Sequence, residues 1–306
     1  IAWSILQFYV GYDGTFPTMV VRPWHVTLAA TVAFASIPRL RRGKAQDRHV
    51  PFSSLGRPDQ VLSALLIAVS ILIGVYFAVH GVRLESRTPF VDELEMMDLV
   101  VGSLVVLLVL EATRRVTGLA LPIVCLVFLA YNVLGPWMPG NLQHSGINFH
   151  DFVELQTMST QGVFGVPVGV SSTYVFYFIL FAAFMEASGG GALFIDFALA
   201  ATGRRRGGGA KAAVVGSSLF GMISGSAIAN VTGSGIFTIP LMKRVGYTGT
   251  FAAAVEALAS TGGQIMPPLM GAGAFIMAQM LGRQYGDIAL AAALPAILYF
   301  VSAYFM

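Results

Sequence analysis

The chain has 306 residues, 56% of them hydrophobic and only 11% charged, with a mean hydropathy of +0.75. Soluble domains carry about 25% charged residues, so this composition excludes an ordinary water-soluble domain and makes lipid the solvent for most of the chain. The single cysteine, Cys125, excludes an internal disulfide framework and a cysteine metal centre, and the net charge is a modest +3.

A helix crossing ~30 Å of hydrocarbon needs about 20 residues. In chain order, apolar runs predict spans at Trp24–Pro38, Val61–Val79, Met97–Glu111, Gly118–Pro136 and Ser172–Ala187, with Ile1–Val10 as the end of another. Gly191–Thr202 alternates apolar and small residues and predicts an amphipathic helix at the cytoplasmic interface. Between Lys211 and Lys243 an apolar stretch is interrupted at Ser224–Gly235, and Thr250–Leu281 is interrupted at Thr261–Pro268. Ile288–Met306 predicts a last span. The N-terminal residues, beginning Ile1-Ala2-Trp3, do not read as a signal peptide, and both ends look cut, as in a piece of a longer membrane protein.

Loop charge orients the spans. Arg39, Arg41, Arg42, Lys44 and Arg48 follow the Trp24 run, Arg114 and Arg115 follow the Met97 run, and Arg204–Arg206 follow the Ser172 run. Between them, His80–Glu95 is acidic on balance, and Trp137–Val170 holds Asp151 and Glu154 with no Lys or Arg. This alternation matches successive crossings with the arginine clusters in the cytoplasm. Topology thus accounts for the basic clusters without nucleic acid. The stretch between Arg204–Arg206 and Lys243–Arg244 then has both ends on the cytoplasmic side and is too short for two spans. A re-entrant hairpin of half-depth helices, its tip near the bilayer midplane, is predicted there.

Polar and small residues at membrane depth are costly unless the backbone they free lines a cavity or binds something. Ser224, Ser226, Asn230, Thr232 and Ser234 supply oxygens at the predicted tip, and Gly225, Gly233 and Gly235 permit a strained backbone. Hard cations such as Na⁺ take oxygen ligands. At the second interruption, Gly262 and Gly263 weaken a helix and Pro267 and Pro268 remove two donors, so a discontinuous helix with free carbonyls facing free amides is expected. Paired interruptions of this kind mark the ion and substrate sites of secondary transporters. Glu256, one acid deep in a predicted span, is a proton-relay or ion-ligand candidate, or else a hydrogen-bonded glutamate tying two helices together. Gly207–Lys211 lacks the order of a phosphate-binding loop, the histidines lack ligand spacing, and no nucleophile–base pair is visible. An enzyme is not expected.

The segments Phe176–Gly190, Gly221–Gly233 and Ala259–Gly271 resemble the permease of tripartite ATP-independent periplasmic (TRAP) transporters, closest to the fused permeases of the TAXI-type branch with a DctM-like large subunit. The resemblance is strong from about Phe149 onward. It implies a small-subunit-like domain of about four spans over 1–137, an extracytoplasmic connector over 138–170, and the first part of the large permease domain over 171–306. It implies an all-α polytopic membrane protein, half of an inverted-repeat elevator, multi-pass in a bacterial inner membrane. The family's partners are a periplasmic substrate-binding protein and a small organic acid of the C4-dicarboxylate kind, with import driven by Na⁺ or H⁺ and no other cofactor. Carried over by motif, Ser224, Gly225, Ser226, Asn230 and Gly233 would form one half of a cation site, faced by Thr261, Gly262 and Gly263. Ser234, Gln264, Pro267 and Pro268 would border the substrate, and Glu256 is the coupling candidate. The alternatives are an elevator-type carboxylate symporter that works without a binding protein, and a non-transporting membrane scaffold whose glycines only pack helices.

Overall fold

The structure is a computed structural model that describes residues 2–37, 57–203 and 206–306. Ile1, Pro38, the basic run at 39–48 and the arginines at 204 and 205 lie outside the described residues. Among the described residues every regular element is a helix, and the chain divides into two compact units, Ile1–Ser172 and Thr173–Met306.

The first unit holds α1 (Ala2–Asp13), α2 (Thr18–Ser36), α3 (Arg57–Ser86), α4 (Met96–Thr117), α5 (Ala120–Leu134), α6 (Phe149–Thr157) and α7 (Val166–Val170). Phe34, Ile73, Phe77, Val105, Leu108 and Phe164 form its core. A Cβ on Gly81 would stand 2.4 Å from Val20 Cγ2, so glycine there lets α3 lie directly on α2. Charges near the helix ends are neutralised in pairs. Asp98, fully buried, accepts from Arg83 Nη2 at 2.7 Å and from the Tyr76 hydroxyl. Glu111 takes Arg114 at 2.7 Å and Arg115 at 2.9 Å. The first expected span is corrected: α2 begins at Thr18, six residues before Trp24, because Arg22 has a partner inside the unit, donating to the Phe164 carbonyl at 2.7 Å.

In the second unit come α8 (Phe176–Ala187), α9 (Gly190–Thr202), α10 (Gly208–Ser224), α11 (Ala227–Arg244), α12 (Gly249–Gly262), α13 (Ala272–Leu281) and α14 (Tyr285–Phe305). A π-helical turn, Ser171–Val175, leads from α7 into α8. Five helical segments among the described residues are long and apolar enough to cross a membrane: Pro58–Ser86, Met96–Thr117, Ala120–Trp137, Val166–Met185 and Tyr285–Phe305. The α2 helix, expected as a span, is not one of them.

Three further expectations change. The hairpin's break is Gly225–Ser226 alone, and Asn230 to Gly235 are helical within α11. Its arms of 17 and 18 residues are therefore about 25 Å long, longer than half-depth helices. The second break runs from 263 to 271, and α13 starts at Ala272 rather than at Pro268. Finally, α9 buries Ile195, Ala198 and Thr202 on one face but exposes Leu193 and Phe197 beside Asp196 on the other. It is apolar on both faces rather than amphipathic.

Candidate functional site

The two interruptions meet. Gly225 ends α10 with φ +58°, a left-handed conformation that glycine adopts without strain. A Cβ there would lie 2.0 Å from the Met270 carbonyl oxygen, so the hairpin turn sits against the backbone of the second break. The Leu269 amide donates to the Met222 carbonyl at 3.3 Å, bonding the last turn of α10 to the same break. One turn earlier, Gly221 faces Gly263: a Cβ on Gly221 would come within 2.5 Å of Gly263 Cα. Only glycine at both positions lets α10 and α12 approach this closely.

At the turn itself, Ser226 caps α11, its Oγ accepting from the Ala229 amide at 3.3 Å. Ser224 Oγ is buried and has no hydrogen-bond partner among the described residues. A buried hydroxyl without a partner costs roughly 1–3 kcal/mol, so it marks a place where a ligand or ion improves the balance. Beside it a cavity of about 10 Å³ is lined by Met185, Gly191, Phe220 and Ile223, space for one small species. The Ser224 hydroxyl can supply one of the several oxygens that a hard cation takes, the other side chains of this lining being apolar.

The second break is held open by specific bonds. The carbonyls of Ser260, Thr261, Gly262 and Gly263 accept from the amides three residues on, at 3.1–3.4 Å. The expectation of free carbonyls at the end of α12 is thereby corrected, although each keeps its second lone pair. The Gly271 amide closes the loop on the Gln264 carbonyl at 2.7 Å. Tyr285 clamps it from α14, its hydroxyl 2.7 Å from the Pro268 carbonyl and 2.9 Å from that of Leu269. The same ring stacks on Phe275 at 4.0 Å between centroids. Thr261, Gln264 and Pro268 are exposed, Pro267 is half-buried, and Gly262 and Gly263 are buried. A Cβ on Gly273 would meet nothing within 4 Å, so the first turn of α13 opens onto free space.

Away from the turn lies a buried polar cluster. Glu256, fully buried on α12, accepts from Ser234 Oγ at 2.5 Å, Thr238 Oγ1 at 2.5 Å and Ser260 Oγ at 3.1 Å. Asn230 Oδ1 accepts from Ser234 at 3.0 Å and from Ser217 at 3.1 Å, and its Nδ2 donates to the Ser217 carbonyl at 2.8 Å. No Lys or Arg bonds Glu256 among the described residues. The cluster joins α10, α11 and α12 through hydroxyls, the Asn230 amide and the Glu256 carboxyl, and Asn230 Nδ2 lies within 3.0 Å of the Cβ positions of both Gly221 and Gly263. It therefore abuts the close approach that carries the two breaks.

These positions sort the expected residues. Ser224, Gly225 and Ser226 are at the turn, and the loop holding Gly263, Gln264, Pro267 and Pro268 packs on it. Asn230 and Ser234 face Glu256 instead, because α11 is helical there and points them inward. Gly233 packs on the Phe220 ring, where a Cβ would stand 2.5 Å from Cζ. Ser217, Thr238 and Ser260 were missed. For Thr238 and Ser260 the signal was a spacing: Asn230, Ser234 and Thr238 recur every four residues, as do Glu256 and Ser260, which stacks polar groups on one helix face; Ser217 had no such signal. In the first unit, His150, Asp151 and Glu154 bring ligand atoms within 4.8 Å of one another, but Glu154 already holds Arg87 at 3.3 Å and the Phe90 amide at 3.0 Å.

A family model described as "Tripartite ATP-independent periplasmic transporter, DctM component" matches residues 104–306. Among curated proteins, the chain is 42% identical over 92 residues to the C4-dicarboxylate TRAP transporter large permease protein DctM of Pseudomonas aeruginosa, covering 30% of this chain and 22% of that protein. The protein of the same name from Vibrio cholerae is 41% identical over 92 residues, with 30% and 20% covered. The uncharacterized protein YgiK of Salmonella typhimurium is 32% identical over 92 residues, with 30% and 21% covered. The match thus spans about a fifth of the length of each relative. No solved structure matches the chain.

Proposed function

The chain belongs to the DctM component family of tripartite ATP-independent periplasmic transporters, and from that premise we propose that it is permease machinery of a cation-coupled importer of small organic acids delivered by a periplasmic binding protein. The observation that carries this reading is the contact of the two interruptions, Gly225 against Met270 and Gly221 against Gly263. A turn and a broken helix meeting inside apolar sequence give an ion and an anion adjoining sites.

In this reading a coupling cation sits at the turn, held by Ser224 Oγ, by Ser226 and by backbone oxygens around Gly225, Thr261, Gly262 and Gly263. The substrate carboxylate lies by Gln264, Pro267 and Pro268, toward the open first turn of α13, whose amide dipoles favour an anion. Asn230 and Ser234 act one step away, through Glu256, as the other half of the coupling device. The hairpin is re-entrant from the cytoplasmic side of a bacterial inner membrane, residues 1–137 serve as a fused small-subunit-like domain, and the branch is the TAXI type. The motif resemblance and the loop charges support these finer assignments.

The test is uptake by the full-length transporter, reconstituted with its binding protein, of a labelled C4-dicarboxylate under an imposed Na⁺ or proton gradient. Uptake that responds to one gradient and requires the binding protein is expected. Uptake indifferent to both gradients would sink the reading.

A further inference from the structure

The second unit contains a cavity of about 380 Å³ whose lining includes no residue of either break, within the roughly 300–1,000 Å³ typical of ligand sites. Its walls are Val214 on α10, Phe251, Val255 and Leu258 on α12, and Ala303 on α14. Arg206 and Lys211 also line it, and Arg206 is exposed. Lys211 Nζ lies 4.8 Å from the centroid of the Tyr304 ring, a cation–π contact between two residues of the lining. No carboxylate pairs with either cation among the described residues, and no acidic residue lines the cavity. Tyr247, stacked on Phe251 at 5.1 Å, completes an aromatic rim.

We propose that this cavity binds an anionic phospholipid of the cytoplasmic leaflet, headgroup phosphate at Arg206 and Lys211 and one acyl chain along Phe251, Val255 and Leu258. The chemistry selects the ligand. Two unneutralised cations over an apolar shaft fit a molecule that is anionic at one end and hydrocarbon at the other. A free dicarboxylate fits poorly, because its second carboxylate would be buried among Val255, Leu258 and Ala303 with no partner. The place fits as well: Arg206 closes the basic run at 204–206, which the charge alternation assigns to the cytoplasmic interface.

The experiment uses the full-length transporter in detergent, titrated with phosphatidylglycerol or with phosphatidylcholine of matched chains and read by native mass spectrometry. Phosphatidylglycerol is expected to bind preferentially. The double variant R206A/K211A should weaken that binding about tenfold at an unchanged melting temperature, and R206K/K211R should restore it. Val255→Trp, which fills the shaft but keeps the charges, should also displace the lipid; if that variant does not fold, the charge pair decides alone. Equal binding of the two lipids, a preference that survives R206A/K211A, or no adduct at all would overturn the proposal. So would displacement of phosphatidylglycerol by millimolar inorganic phosphate, which would mark a small-anion site. None of these outcomes depends on uptake, so the transport reading stands or falls separately.

Discussion

Glu256 is a carboxyl in apolar surroundings whose neighbours are a ring of hydroxyls and one amide. Every one of those neighbours is buried, so each needs the others, and removing one leaves its partners unpaired. The sequence singled out Glu256 because an acid inside an apolar span has few uses. Its partners were hidden because a serine that packs and a serine that binds look alike in one dimension, and only the inward turn of α11 tells them apart. Two substitutions separate coupling from support. Glu256→Gln keeps the volume: its Oε1 can still accept from Ser234 and Ser260, and its Nε2 can donate to the Thr238 hydroxyl, which then turns its own proton to the Ser234 carbonyl. Expression and melting temperature should therefore hold while gradient-driven uptake falls at least tenfold, by roughly 1.4 kcal/mol or more. Glu256→Ala should in addition destabilise the protein by roughly 1–3 kcal/mol, since the hydroxyls lose their acceptor. Gradient-driven uptake by Glu256→Gln at the original rate would leave Glu256 as a helix tie and nothing more.

Helices and their interruptions pose the next question, which is why each break stops where it does. Gly262-Gly263 and Pro267-Pro268 made the second break legible, because one pair weakens a helix and the other removes donors. Its length was not legible. Helix α13 starts four residues late because the Gly271 amide is drawn back to Gln264 and Tyr285 holds the Pro268 and Leu269 carbonyls from α14, long-range contacts that no local propensity encodes. The hairpin's break was expected to be longer than it is for the opposite reason: Gly233 and Gly235 suggest flexibility in sequence, yet both lie within α11, where Gly233 admits the Phe220 ring. Tyr285→Phe removes the clamp but keeps the stack on Phe275, so the concentration of driving cation for half-maximal uptake should rise about tenfold, the worth of about one hydrogen bond, while the melting temperature barely moves. An unchanged cation dependence would show that the loop holds its shape unaided. Gly221→Ala tests the close approach itself. Its methyl group would meet the Gly263 backbone, which cannot yield as a flexible side chain can, so a loss of about 1–3 kcal/mol in stability is expected by thermal or denaturant unfolding.

At the scale of the whole molecule, charge rather than hydropathy carries the topology, and the hairpin is where it matters most. The arms of α10 and α11, about 25 Å each, are nearly long enough to be read as two crossings, and length alone does not decide between a hairpin and a pair of spans. Contacts argue for the hairpin. Helix α11 ends at Arg244 and α12 begins at Gly249, so the end of α11 and the start of α12 share one face of the unit. The turn at Gly225 meets the break that follows Gly262, and α13 continues for ten residues beyond that break. We expect a turn that ends where a further helix still has to run to lie inside the bilayer rather than at its far side. In a full-length protein with Cys125 replaced by Ala, single cysteines at the exposed positions Gly207 and Gly246 should therefore react with a membrane-impermeant maleimide from the cytoplasmic side only. A cysteine at Arg283, in the exposed connection from α13 to α14, should react from the periplasmic side only. A cysteine at Ser226, exposed at the turn, decides the remaining case: ready labelling from the periplasm in the resting protein would make α10 and α11 two complete crossings. Protection there, released when substrate and driving cation are supplied, would place the turn at the gated site that the close approach of Gly221 and Gly263 suggests.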